Sequence, residues 1–263
     1  MRCFRPGVAM GRAIRFGLIL GGCLIGTTAS AIVNIEDRRD EGDADGTFRT
    51  ARLSISGDSG NTDRSDIGAG LRLFRRKQGS EALLLTDYAY GESRGIKNRN
   101  RSFLHLRYGS TFRPATMVEG FAQAEQDDFA RLRFRGLVGA GLRFLSRGDT
   151  TRASLGVGAF HSWERLTDTV PGERSDEQLW RANLYFSIDH KLKTGLVLHS
   201  STYLQPRIGP VTDFRVLEQF ACSVPVTESI GLRLSLDILH DSRPPRTVER
   251  TDVHYRTTLE VRF

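Results

Sequence analysis

Period-two alternation of apolar and polar residues, repeated in twelve separate segments, constrains this chain more than any other feature. Successive side chains of a strand point to opposite faces, so such alternation marks a half-buried strand and excludes a helix. The segments fall near residues 47–56, 66–74, 80–91, 102–113, 117–126, 130–145, 151–164, 177–190, 195–206, 213–224, 229–240 and 251–263. The clearest is the sixth, where Leu132, Phe134, Val138, Ala140, Leu142 and Phe144 alternate with Arg131, Arg133, Arg135, Gly139, Gly141 and Arg143. A soluble core has no place for that second set, whereas a polar interior behind a lipid-facing apolar row accepts it. Segments nine and ten have ambiguous faces, because Glu218 interrupts the row Phe214, Val216, Phe220, Cys222.

The connections carry independent information. Those after even-numbered segments are short and turn-like, as at 114–116, 146–150, 191–194 and 225–228. Most of those after odd-numbered segments are longer and more polar, as at 57–65, 92–101, 165–176, 207–212 and 241–250. Short periplasmic turns alternating with longer external loops are a property of outer-membrane barrels. The expected fold is all-β: one antiparallel transmembrane β-barrel of about twelve strands over 47–263, behind a short periplasmic segment at 32–46. A soluble periplasmic β-sandwich that binds a ligand is the competing architecture.

Mean hydropathy is −0.33, and only residues 13–31 approach the run of about 20 apolar residues that a membrane helix needs. Those residues follow Arg2, Arg5, Arg12 and Arg15, and Ala29-Ser-Ala31 closes them, so residues 1–31 read as a cleaved secretory leader. Leu20-Gly-Gly-Cys23 allows a second reading, with Cys23 as a lipidation site. Removing the leader takes away Cys3 and Cys23, leaving Cys222 without an internal disulfide partner. It also takes four of the 38 basic residues, so 34 remain against 31 acidic ones and the net charge falls from +7 to +3. The basic balance therefore gives little reason to expect a nucleic-acid partner.

Gly57-Asp-Ser-Gly-Asn-Thr-Asp63, Gly139-Ala-Gly-Leu142, Gln205-Pro206 and Asp241-Ser-Arg-Pro-Pro245, in that order, resemble the family of salt-induced outer-membrane proteins, a domain family of unknown function. The resemblance covers about 47–263 and implies a twelve-stranded outer-membrane barrel in a Gram-negative bacterium. The terminal pattern Tyr255, Leu259, Val261, Phe263 is similar to the C-terminal signal read by the barrel assembly machinery, and Thr257 departs from it. Outer-membrane lipids, lipopolysaccharide among them, and that machinery are the partners this implies.

No cofactor or metal is expected, because the six histidines lack ligand spacing such as His-Glu-x-x-His. The acidic loop Asp58 to Asp63 has oxygen donors that suit calcium without the full ligand register. Gly136 to Gly141 and Gly156-Val-Gly158 open no helix, so they read as glycines that let a curved sheet bend. His199 and Ser201 share a strand face and look like the dyad of outer-membrane lipid A deacylases, with Glu218 as the nearest orienting carboxylate. The expectation is nonetheless a protein without enzymatic activity.

The remaining chemistry is an inward charge set: Arg107, Arg131, Arg133, Arg135, Arg143, Arg181 and Arg233 among the cations, Glu119, Glu125, Asp189 and Asp237 among the anions. Most are expected to pair across strands, Glu125 with Arg131 for example. A polar, cross-braced interior leaves a narrow passage. The expected role is structural or stress-related in the cell envelope, with a small anion-preferring pore beside it and a lipid-modifying hydrolase as the alternative.

Overall fold

The computed structural model describes residues 45–60, 63–167, 169–227 and 230–261. Residues 1–31, which the sequence reads as a leader, residues 32–44 and Phe263 lie outside the described residues, and of Val261 only the backbone is described. Twelve strands follow one another in chain order: β1 (Gly46–Asp58), β2 (Arg64–Lys77), β3 (Ser80–Ser93), β4 (Ile96–Arg113), β5 (Thr116–Asp127), β6 (Leu132–Arg147), β7 (Thr151–Leu166), β8 (Asp176–Lys191), β9 (Val197–Pro206), β10 (Phe214–Pro225), β11 (Ile230–Asp241) and β12 (Thr251–Val261). Each pairs antiparallel with the next, forming one twelve-stranded meander. No α-helix occurs among the described residues. The alternation in the sequence thus reports strands in number and order.

The two faces differ as the alternation requires. Leu104, Leu106, Val118, Val138, Leu142, Leu155, Val157, Leu204, Phe220 and Leu234 are exposed on the outer one. Arg107, Glu119, Glu125, Arg135 and Arg181 are buried on the inner one. The sheet is strongly curled. Strands three apart on a flat sheet would stand roughly 14 Å apart, at about 4.8 Å per step. Yet Tyr185 of β8 reaches Glu119 of β5 at 2.9 Å, and Arg215 of β10 reaches Glu164 of β7 at 2.7 Å.

Part of the curl is made at Gly141 and Gly158, direct partners on β6 and β7. A Cβ on Gly158 would lie 2.4 Å from the Ala140 carbonyl oxygen and 2.8 Å from the Gly141 Cα, so the strands fold against each other more closely than any side chain permits. Along the opposite seam, β1 and β12 form no ladder with each other among the described residues.

Two expectations change. The polar stretch 92–101 is no long loop: β3 runs to Ser93, β4 starts at Ile96, and Arg94-Gly95, both at positive φ, make a tight turn. The longest connections are 167–175 and 242–250, both after odd-numbered strands. The start of β6 is also irregular. Register shifts on both of its sides turn Leu132 inward and leave Arg133 exposed, so strict alternation fails there.

Candidate functional site

The chemistry of the molecule lies on the inner face, in two chains of alternating charge. Near the loop end, Arg135 sits between Glu125 at 2.6 Å and Glu164 at 2.9 Å. Glu164 also receives Arg215 at 2.7 Å, and Arg215 in turn reaches Asp241 at 2.9 Å. Five side chains from β5, β6, β7, β10 and β11 thereby form one row. Beside it Arg181, buried on β8, meets Asp213 at 2.6 Å and donates to the Gln205 carbonyl.

The second chain lies nearer the turns. Arg76 contacts Glu81 at 2.9 Å, and Arg143 stands 3.6 Å from Glu81 and 4.0 Å from Glu119. Arg107 meets Glu119 at 2.9 Å, and the Tyr185 hydroxyl donates to the same carboxylate. The Tyr185 ring fits because Gly156 faces it: a Cβ there would fall 1.9 Å from a ring carbon. Arg107 also lies over the Phe121 ring, 4.9 Å from its centroid.

The interior is less polar than the sequence suggests. Phe74, Leu83 and Leu85 form a buried inner cluster with Phe48 and Phe103 against it, and Tyr185, Tyr203, Leu217 and Leu239 form a second. The charged side chains are therefore embedded in apolar packing rather than arrayed around water. The side chains of Arg107, Glu119, Arg135, Glu164, Arg181 and Arg215 are each 9% exposed or less. Pairing is what makes such burial tolerable.

The expected inward set divides. Arg107, Glu119, Glu125, Arg135, Arg143 and Arg181 lie in these networks, whereas Asp189, Asp237 and Arg233 have smaller ones: His199 at 2.7 Å, Gln219, and the Ser223 hydroxyl at 3.2 Å. Arg133 is corrected to the exposed side by the β6 irregularity. Arg131 is corrected too. It precedes β6 at φ 53°, and Glu125, its expected partner, is held by Arg135 instead. Glu164, Arg215, Asp213 and Asp241 were not foreseen. Trp163 outward implies Glu164 inward, a signal present in the sequence, whereas the ambiguity at Glu218 hid Arg215.

Glu218 lies on the outer face, where Ser200 and Thr202 donate to it, so it does not orient His199. Asp189 does, at 2.7 Å from His199 Nδ1. Ser201, on the same inner face, is fully buried, and no hydrogen bond joins it to His199 among the described residues. Asn61 and Thr62 of the acidic loop lie outside the described residues.

Arg131 has a different task, clasping three connections. It contacts Glu173 at 2.7 Å and donates to the Arg246 carbonyl at 2.5 Å, while the Arg246 amide donates to Glu173 at 2.9 Å. The hydrogen bond from Arg131, aided by the Arg246 and Val170 amides, holds the Glu173 carboxyl below the ordinary glutamate value.

Fold and site together define an all-β protein with an apolar exterior and a charge-paired interior. Residues 51–263 match the family model described as "Protein of unknown function, DUF481", and the chain belongs to that family. No curated protein matches it. Among solved structures, one described as the NanC porin in a rhombohedral crystal form is similar at 11% identity and a TM-score of 0.48, over 82% of this chain and 99% of that one. Another, from work on in-meso crystallization of membrane proteins, is similar at 13% identity and a TM-score of 0.36, over 82% of this chain and 83% of that one.

Proposed function

We propose that this chain is a twelve-stranded barrel of the Gram-negative outer membrane, closed by β12 against β1, with a filled interior and a structural role in the envelope. The observation that carries the reading is the exposed apolar belt between two rows of exposed aromatics. Tyr88, Phe134, Trp163 and Trp180 stand toward the loop ends, and Phe112, Phe144 and Phe186 toward the turn ends. Phe134 and Phe144 are ten residues apart, about 33 Å along a strand. At the usual barrel tilt of about 40° that spans about 25 Å of membrane, the height of a barrel's apolar band. A belt of this extent has no role in water. Inside hydrocarbon an open sheet edge leaves backbone groups unsatisfied, which requires the seam to close.

Embedded ion pairs and inner apolar clusters leave little space for solute, which favours bracing over transport. A narrow anion-preferring passage is the second reading. Arg233 and Arg256, inner-facing beside the seam, meet no carboxylate among the described residues. Recording from refolded protein in planar bilayers separates the two. The filled barrel is expected to be nearly silent, and a passage shows small anion-preferring steps. Large cation-selective steps overturn both, and a product that stays soluble without heat-modifiable mobility overturns the membrane reading itself.

A further inference from the structure

The outer face carries an exception to its own apolar rule. Arg49, Arg75 and Lys77 all point outward at the turn ends of β1 and β2, and all three are exposed. Their placement follows from the register. Thr47 pairs with Arg75 and Arg49 with Leu73, so Arg49 and Arg75 are diagonal neighbours, about 7–8 Å apart by strand geometry. Arg75 and Lys77 share a face two residues apart. None of the three makes a hydrogen bond or ion pair among the described residues; Asp45, four residues before Arg49, accepts the Gln78 amide, and Glu81, four residues after Lys77, is held by Arg76. A cation on the lipid face costs up to about 2–4 kcal/mol, less near the interface, so three together call for an anionic counterpart.

Beside them the outer face is hollow. A crevice of about 580 Å³ runs across β2 to β5, bounded by Leu73, Leu84, Leu106 and Tyr108 and floored by the small side chains Ala82 and Ala122, and Arg49 and Arg75 form its rim. Another crevice of similar size, about 510 Å³ between Ile188, Leu198, Phe220 and Leu234, has no arginine or lysine in its lining. Only the first joins an apolar slot to unpaired cations.

Resting on the membrane reading above, we infer that this crevice is a binding site for an anionic glycerophospholipid, one acyl chain lying over Ala82 and Ala122 and the phosphate held by Arg49 and Arg75, with Lys77 behind them. The slot supplies apolar contact, and each cation near a membrane surface adds roughly 1 kcal/mol of attraction for an anionic headgroup. The site selects on both properties: a zwitterionic lipid fills the slot without satisfying the arginines, and free phosphate satisfies the arginines without filling the slot.

The test is native mass spectrometry of the folded full chain released from micelles with equal dioleoylphosphatidylglycerol and dioleoylphosphatidylcholine. The wild type is expected to retain phosphatidylglycerol at least several-fold over phosphatidylcholine. The R49Q/R75Q double variant should lose that preference, and Ala122→Leu, which fills the slot and keeps the charges, should lose bound phosphatidylglycerol. Wild-type retention in either variant, or equal retention of both lipids by the wild type, overturns the site. Heat-modifiable mobility of each sample is read alongside. A wild type that never inserts overturns the membrane reading, whereas one that inserts and does not discriminate overturns the lipid site alone.

Discussion

Tyr185 on β8 donates its hydroxyl proton to Glu119 on β5 across the interior, at 2.9 Å, with both side chains buried. The bond ties two walls that share no ladder, so it measures the curl directly. Tyr185→Phe leaves Glu119 to the arginines, Arg107 at 2.9 Å and Arg143 at 4.0 Å, and should cost about 1–3 kcal/mol in urea unfolding. Gly156→Ala should cost at least as much, because its methyl group displaces the Tyr185 ring. An unchanged midpoint in both variants contradicts the contact.

Glu164 accepts from two arginines, Arg135 and Arg215, which meet no other common carboxylate among the described residues. Glu164→Gln removes the carboxylate that bridges the two arginines, leaving Arg135 to Glu125 and Arg215 to Asp241. Loss of one partner from a buried pair costs about 3–5 kcal/mol, and unfolding of refolded protein in lipid should show a loss of that order. Stability within about 0.5 kcal/mol of wild type, the range of an ordinary surface change, would mean the network does not brace the walls.

The clasp of Arg131, Glu173 and Arg246 should depend on pH in one direction. Glu173 is held below its ordinary value, so its contribution is full above the unfolded glutamate value of about 4.3 and fades as pH falls through the lower folded value. Hydrogen exchange or limited proteolysis at 167–175 and 242–250 should therefore accelerate below about pH 4 relative to the strands. Glu173→Gln should accelerate it already at neutral pH, roughly tenfold for the loss of a charge-assisted bond. Equal protection of wild type and variant at pH 7 removes the clasp from the account.

Seam closure is tested by cross-linking. With Cys222 replaced by Ser, a cysteine at Ala51 on β1 is scanned against cysteines at Val253, Tyr255, Thr257 and Leu259 on β12. Closure predicts a disulfide at one position in lipid-embedded protein, because bridged Cα atoms must lie within about 7 Å. Absence of a bridge at all four positions argues for an open sheet.

What the sequence determined by itself is the local order: twelve strands, their succession and, for most of them, which face is apolar. Whether a side chain faces the outer surface or the interior acts on each one separately, and a period of two records it residue by residue. The Gly141 and Gly158 bend was legible for the same reason, since a missing side chain marks a close approach. Only the tertiary structure decided who meets whom. Glu125 takes Arg135 and not Arg131 because β6 begins only at Leu132, after a four-residue turn that contains Arg131, and a one-residue shift between Glu125 and Asp127 sets the final pairing. A second shift, between Leu132 and Phe134, leaves Arg133 outward. Arg215 finds Glu164 three strands away because the sheet curls, and the curl sums twist, register and bend over all the strands between. No short stretch of sequence contains that sum, so partners across the interior emerge only once the whole sheet is assembled.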